Sequence, residues 1–265
     1  MDEEKKSMKR RSFVKGLSAW LLASGAAVQA QAFSGKIPGR DEEDQRYVGQ
    51  EGKRFGMVVD LRKCVGCQAC TGACKVENKT PRHHFRTWVA EYERGEYPAV
   101  HKVFLPQLCN HCASPSCVKV CPTGATFSRG DGVVMVDDKV CWGCGYCVNA
   151  CPYDKRYFHP QSKTVDKCTL CAHRLDSGLL PACVESCVGG ARVAGDLNDK
   201  KSQVSRLLAG FSTAVLQPSQ GNRPQVYYIG LDGSVQNQVR GTVNLDDLAR
   251  MRDGKPRREW QTAYK

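Results

Sequence analysis

The sequence predicts an α+β fold built of two small modules, one inserted in the other, followed by a C-terminal extension. Three observations carry this. Short apolar stretches have strand character, sixteen cysteines fall into four sets of four, and a hairpin signal separates the second set from the third. The sets are 64, 67, 70 and 74; 109, 112, 117 and 121; 141, 144, 147 and 151; and 168, 171, 183 and 187, with none left over.

In chain order, residues 1–32 read as an export signal. A charged start contains Arg10-Arg11 in KRRSFVK, an apolar run follows from Gly16 to Val28, and Ala30-Gln31-Ala32 offers a cleavage site. That is the layout of a twin-arginine signal; a basic amphipathic helix is the alternative. The apolar run is shorter than the roughly 20 residues a bilayer crossing takes. Residues 33–54 read as a polar, exposed linker.

FGMVVDL (55–61) reads as a strand and ends just before the first cysteine set. Residues 75–108 read as loops that offer surface to partners. ATFSRGDGVVMVDD places a Gly-Asp-Gly turn between two apolar stretches, which is a hairpin signal. In SQVSRLLAGFSTAVL, Val204, Leu207, Leu208 and Phe211 recur at helical spacing and read as core packing. QVYYIGL (225–231) reads as another strand, and RDGKPRREWQTAYK as a solvated tail.

The first and third sets, CVGCQACTGAC and CWGCGYCVNAC, have the spacing C-x2-C-x2-C-x3-C, while the second, CNHCASPSCVKVC, is C-x2-C-x4-C-x3-C. Three close cysteines let one loop supply three corners of a [4Fe-4S] cubane, and the fourth leaves along the next helix toward a different cluster. Gly66, Gly143 and Gly145 permit the tight backbone such loops need. Cys121-Pro122 and Cys151-Pro152 complete the run found in two-cluster ferredoxins. Zinc, which takes two C-x2-C pairs, leaves half of each set without a role, and a disulfide framework has no reason to repeat this spacing.

The middle sets and their hairpin form an inner ferredoxin-like module, about 101–160. The first and last sets form an outer one, 55–100 plus 161–200, so that the four-cluster domain covers 55–200 and the extension 201–265. Ligand exchange between paired sets predicts four [4Fe-4S] clusters. Cluster 1 takes Cys64, Cys67, Cys70 and Cys187, and cluster 2 takes Cys74, Cys168, Cys171 and Cys183. Cluster 3 takes Cys109, Cys112, Cys117 and Cys151, and cluster 4 takes Cys121, Cys141, Cys144 and Cys147. The last set departs from the simple spacing and has Val188 where proline would follow.

The formal charge of +12 raises the question of nucleic-acid binding. Residues 1–32 hold six basic and three acidic side chains, so their removal leaves +9. Four cubanes with their thiolates carry about −8, which nearly cancels it. The basicity therefore reads as balance for buried clusters, without nucleic acid. Lys155, Arg156, Lys167 and Arg174 near the sets are candidates for that balance. Trp142 reads as a cluster shield, and His111 and His173 read as supporting or surface residues. No nucleophile elbow, phosphate loop or carboxylate pair stands out, so no catalytic residue is assigned.

Through these sets the chain resembles the iron-sulfur subunits of dimethyl-sulfoxide-reductase-type molybdopterin enzymes, and within them the tetrathionate-reductase branch, on CVESCVGGAR and its flanks. The resemblance implies a non-catalytic electron-transfer subunit that links an integral membrane quinol-oxidising subunit with a molybdopterin catalytic subunit, in tetrathionate reduction. Thiosulfate, polysulfide and arsenate reductases share the scaffold, and a free-standing polyferredoxin carrier is the rival. The location implied is periplasmic and peripheral to the membrane, by the twin-arginine route.

Overall fold

The computed structural model describes residues 45–237. The expected export signal (1–32), the linker up to residue 44 and the basic C-terminal end lie outside the described residues. The strands are β1 (Phe55–Asp60), β2 (Thr87–Arg94), β3 (His101–Leu108), β4 (Thr126–Ser128), β5 (Val134–Val136), β6 (Arg156–Phe158), β7 (Val165–Lys167), β8 (Arg192–Asp196), β9 (Thr213–Ala214) and β10 (Val226–Ile229). The helices are α1 (Gln45–Val48), α2 (Ala69–Glu77), α3 (Ser116–Lys119), α4 (Tyr146–Asn149), α5 (Ala172–Asp176), α6 (Ala182–Glu185), α7 (Gln203–Gly210) and α8 (Gly233–Gln236). The mixed α and β composition agrees with the α+β expectation.

The expected strand FGMVVDL is β1, which lies inside a four-stranded sheet ordered β8-β1-β10-β9. All six of its residues are buried. Side chains alternate along a strand, and here both faces are covered. Phe55, Met57 and Val59 enter the main core, while Val58 packs on the other face with Val204 and Ile229. Gly56 is required on that crowded strand, because a Cβ there would stand 2.7 Å from the Leu197 side chain.

The second face is closed by α7, which the sequence predicts. Ser202 caps it by accepting a hydrogen bond from Ser205 N at 3.1 Å. Val204 is fully buried, but Phe211 is not part of the stripe. The helix ends at Gly210, Phe211 turns extended at φ −132°, and its exposed ring lies 4.7 Å from the Arg62 guanidinium. The expected strand QVYYIGL is β10; it runs parallel to β1 with Val58 opposite Tyr227, and brings residues beyond 200 into the same sheet.

The hairpin expected between the middle sets is β4–β5, antiparallel with Phe127 opposite Met135. A second hairpin, β6–β7, was not expected; it pairs Tyr157 with Asp166. The segment expected as loops, 75–108, contains the longest pairing among the described strands, β2–β3, from Thr87 opposite Leu108 to Arg94 opposite His101. Pro106 inside β3 argues against a strand in sequence, since it has no N–H for a ladder.

The described part of the linker is anchored. Tyr47 donates to Asp137 and its ring lies 5.2 Å from Phe127, and Gln50 Nε2 donates to the Leu175 carbonyl at 2.7 Å. An aromatic residue able to bury its ring outweighs the polar composition around it.

Candidate iron-sulfur centres

All four sets follow one local plan. The third cysteine of each is the second residue of a helix: Cys70 in α2, Cys117 in α3, Cys147 in α4 and Cys183 in α6. The fourth cysteine comes four residues later. Two of these helices start after a left-handed residue, Gln68 at φ 60° and Gly145 at φ 81°, and two after a proline, Pro115 and Pro181. Gln68 tolerates that conformation because its side-chain amide clasps Val89, donating from Nε2 to the carbonyl (2.8 Å) and accepting from the N–H (3.2 Å). Gly143 sits at φ 66°, where a Cβ would meet the Lys163 carbonyl at 2.3 Å, so its loop depends on glycine.

The helices pack in pairs, α2 with α6 and α3 with α4. First set therefore meets last, and second meets third. The cysteines are gathered accordingly. One pocket is lined by Cys64, Cys67, Cys70 and Cys187, with Arg192 beside them. Cys74 lies among Cys171 and Cys183, Cys168 faces Cys74 and Cys183, and Asn78 Nδ2 reaches Cys74 Sγ at 3.5 Å and Cys171 Sγ at 3.7 Å. Cys112 is surrounded by Cys109, Cys117 and Cys151. Cys147 lies near Cys121 and packs with Cys141, while exposed Cys144 occupies the same loop.

Neighbouring groups also touch in sequence. The first meets the second where Cys70 faces Cys183, the second meets the third where Cys168 faces Cys109, and the third meets the fourth where Cys117 faces Cys147.

The donor set has the chemistry that cluster thiolates take. All sixteen cysteines are free. Backbone N–H groups donate to sulfur from Thr126 to Cys121 (3.4 Å), Val165 to Cys141 (3.5 Å), Leu170 to Cys168 (3.3 Å) and Ala191 to Cys187 (3.2 Å). Among the described residues no three His, Cys, Asp or Glu side chains converge on a single ion position, whereas zinc ligands must all stand about 2–2.3 Å from one point.

Burial pushes the Cys74 thiol up to about 12 and Cys151 to about 11, and Cys168 and Cys112 are raised as well. Cys121 is the exception. Burial raises it, but the Thr126 N–H and the Thr123 hydroxyl outweigh that and leave it lowered.

Three buried cations stand among these sulfurs. Arg156 Nη2 donates to Cys117 Sγ at 2.9 Å and Nη1 to Thr126 Oγ1 at 3.2 Å. Arg192 donates from Nη2 to Thr87 Oγ1 at 2.9 Å, while its Nη1 is buried without a hydrogen-bond partner beside Cys70, Cys183 and Cys187. Lys167 Nζ reaches only carbonyls, those of Val134 and Cys168 (2.6 Å). None of the three forms an ion pair with a described carboxylate. A buried charge needs an opposite one, so an orphaned guanidinium among thiols fits a site that carries negative charge when filled. The residues present fit [4Fe-4S] groups.

Sequence reasoning missed Arg192 altogether. Its signal was an arginine in CVGGARVAG at the start of an otherwise apolar strand. Other expectations need correction. Trp142 is 81 % exposed and shields nothing within this chain, because its loop points it to solvent. Arg174 pairs with Glu77 (3.0 Å) and Glu185, so surface carboxylates take its charge, and exposed His173 also bonds Glu77 at 2.6 Å. Lys155 is buried, donating to Gln107 Oε1 at 2.7 Å with its ammonium 3.6 Å from the Trp88 ring centre. His111 is buried; its Nδ1 accepts from Val134 N at 3.1 Å and its Nε2 has no partner.

Fold and site together define an iron-sulfur protein, and the family model described as "4Fe-4S dicluster domain" matches residues 100–197. The chain belongs to the family of dimethyl-sulfoxide-reductase-type iron-sulfur subunits, in which the tetrathionate reductase electron-transfer chains also fall. It is 48 % identical over 236 residues to a tetrathionate reductase subunit of Salmonella typhimurium strain LT2, covering 88 % of this chain and 92 % of that protein. The corresponding tetrathionate reductase subunit of Archaeoglobus fulgidus is 46 % identical (71 % and 88 % covered). A putative dimethyl sulfoxide reductase iron-sulfur subunit of Halobacterium salinarum is 38 % identical (66 % and 78 % covered).

Proposed function

We propose that this chain carries four [4Fe-4S] clusters in two nested ferredoxin-like modules and relays electrons from a membrane quinol-oxidising subunit to a molybdopterin catalytic subunit. The observation that carries this is the gathering of free thiols into groups that meet in sequence, with Arg156, Lys167 and Arg192 buried among them. Cys64, Cys67, Cys70 and Cys187 hold the first cluster; Cys74, Cys168, Cys171 and Cys183 the second; Cys109, Cys112, Cys117 and Cys151 the third; Cys121, Cys141, Cys144 and Cys147 the fourth. Bound [4Fe-4S] groups supply one-electron transfer.

The chain's own residues do the rest. Arg192 sits beside cysteines of the first and second groups, and Arg156 beside those of the third and fourth, so each guanidinium offsets charge on two sites at once. Exposed Cys67 and Cys144 leave the first and fourth sites near the surface, where partners dock. No helix among the described residues is long and apolar enough to cross a membrane, so contact with quinol is left to an integral partner. The chain takes no catalytic role, and its place is the periplasmic face, reached by the twin-arginine route.

Likeness to the two tetrathionate reductase proteins favours tetrathionate as terminal acceptor. Anaerobically purified full-length chain is expected to hold about sixteen iron and sixteen sulfide, with EPR spectra of interacting reduced clusters. Little iron in protein shown not to have lost it would overturn the reading. Deleting the gene should abolish tetrathionate-dependent growth; loss of arsenate or thiosulfate respiration instead would move the acceptor.

A further inference from the structure

Three tyrosines, Tyr153, Tyr157 and Tyr228, are buried. Tyr228 donates its hydroxyl to the Pro106 carbonyl at 3.0 Å and Tyr157 donates to Asp166. Tyr153 differs. It is 2 % exposed, and its Oη is buried with no hydrogen-bond partner. Its ring lies in the main core, against which Cys109, Cys112 and Cys151 pack, and its hydroxyl stands beside the Cys112 thiol.

A phenol buried without an acceptor is costly, and a phenylalanine would fill the same space without that cost. The cost vanishes if the neighbouring sulfur becomes a thiolate, which accepts hydrogen bonds and donates none. Hydrogen bonds to cluster sulfurs favour the reduced, more negative state and so raise the reduction potential.

We propose that the Tyr153 hydroxyl donates a hydrogen bond to Cys112 Sγ when the third cluster is bound, and that this holds the potential of that one cluster up. Tyr153 acts through a ligand and is a positioning residue. The inference rests on the four-cluster reading above and goes beyond it, in assigning one cluster's potential to one side chain.

The test is an EPR-monitored redox titration of the anaerobic, iron-loaded full chain. In Tyr153→Phe one of the four midpoint potentials shifts downward while the other three stay, at unchanged iron content. Tyr228→Phe, which removes a hydroxyl bound to a carbonyl, leaves all four in place. Because Tyr153→Phe can also cost the cluster, 3-fluorotyrosine introduced at 153 is the second variant; it keeps ring and hydroxyl, is the stronger donor, and shifts the same midpoint upward. Unmoved midpoints in iron-loaded Tyr153 variants, or an equal shift in Tyr228→Phe, overturn the role of Tyr153. A wild-type chain without iron overturns the four-cluster reading instead.

Discussion

The sheet-bearing outer region and the middle region, residues 109–158, bury different things. In the outer region β1 lies between β8 and β10, its two faces covered by Met57 and Val59 on one side and by Val58 with α7 on the other. In the middle region the paired strands are three residues long, and the local core is Cys147, Val148, Tyr157, Phe158 and Val165, with Cys117 and Cys141 packed against it. Arg156 and Lys155 are buried there too. Apolar burial is proportional to area and needs no ligand, whereas buried cations among cysteines are stabilised only when their counter-charge is present. The outer region is thus held by its sheet, and the middle one by what its cysteines bind.

The largest effect tests that contrast directly. On removal of iron, amides of β4, β5 and β6 should lose hydrogen-exchange protection, while those of β1, β8 and β10 keep it; equal loss in both regions would erase the distinction. Next, Arg156→Met should cost the loaded chain one or both adjacent clusters, about four to eight iron per chain. In the iron-free chain the same change should be neutral or stabilising in a denaturant titration, because it removes a buried unpaired cation.

Met57→Ala should destabilise by roughly 2–5 kcal/mol through the cavity it leaves, with or without iron. A cost seen only in the loaded protein would mean that the sheet also depends on the clusters.

His84 offers a smaller, pH-dependent effect where the regions meet, stacked 4.8 Å from the Tyr157 ring. Burial, then the nearby His159 and Lys75, lowers it from 6.5 to about 4. The unfolded chain therefore binds the proton first, and stability should fall by about 1.4 kcal/mol per pH unit as pH drops below 6.5 toward 4. His84→Gln should flatten that slope in melting curves taken from pH 7.5 to about 5.5, at constant iron.

Smallest is Asp60→Asn. The Arg62 side chain holds the Asp60 carboxyl below the usual range, and Asp60 also accepts from Arg62 N at 3.2 Å. Loss of this cap should cost about 1 kcal/mol at neutral pH. The difference from wild type should shrink as pH falls below 3.8 and the native carboxyl protonates.

Much of this was legible in the residues. Strand β1, the β4–β5 hairpin, α7 and β10 follow from apolar runs, a Gly-Asp-Gly turn and helical spacing, which are local signals. The β2–β3 hairpin was not legible, because Pro106 contradicts it locally and only eight cross-strand pairs outweigh that. Trp142 was misread because a residue adjacent to a cysteine in sequence can point away from it in space. Arg192 was passed over because nothing around it in the chain shows that Thr87 and three cysteines from distant segments surround it.

By itself the sequence determined the ligand inventory: sixteen cysteines in four sets, each short enough that its spacing is local geometry. Only the tertiary structure decided how the sets combine, which cations are buried among them and which tyrosine hydroxyl is left without an oxygen. Those depend on helix packing between segments more than a hundred residues apart, α2 against α6, and no local pattern records such a contact.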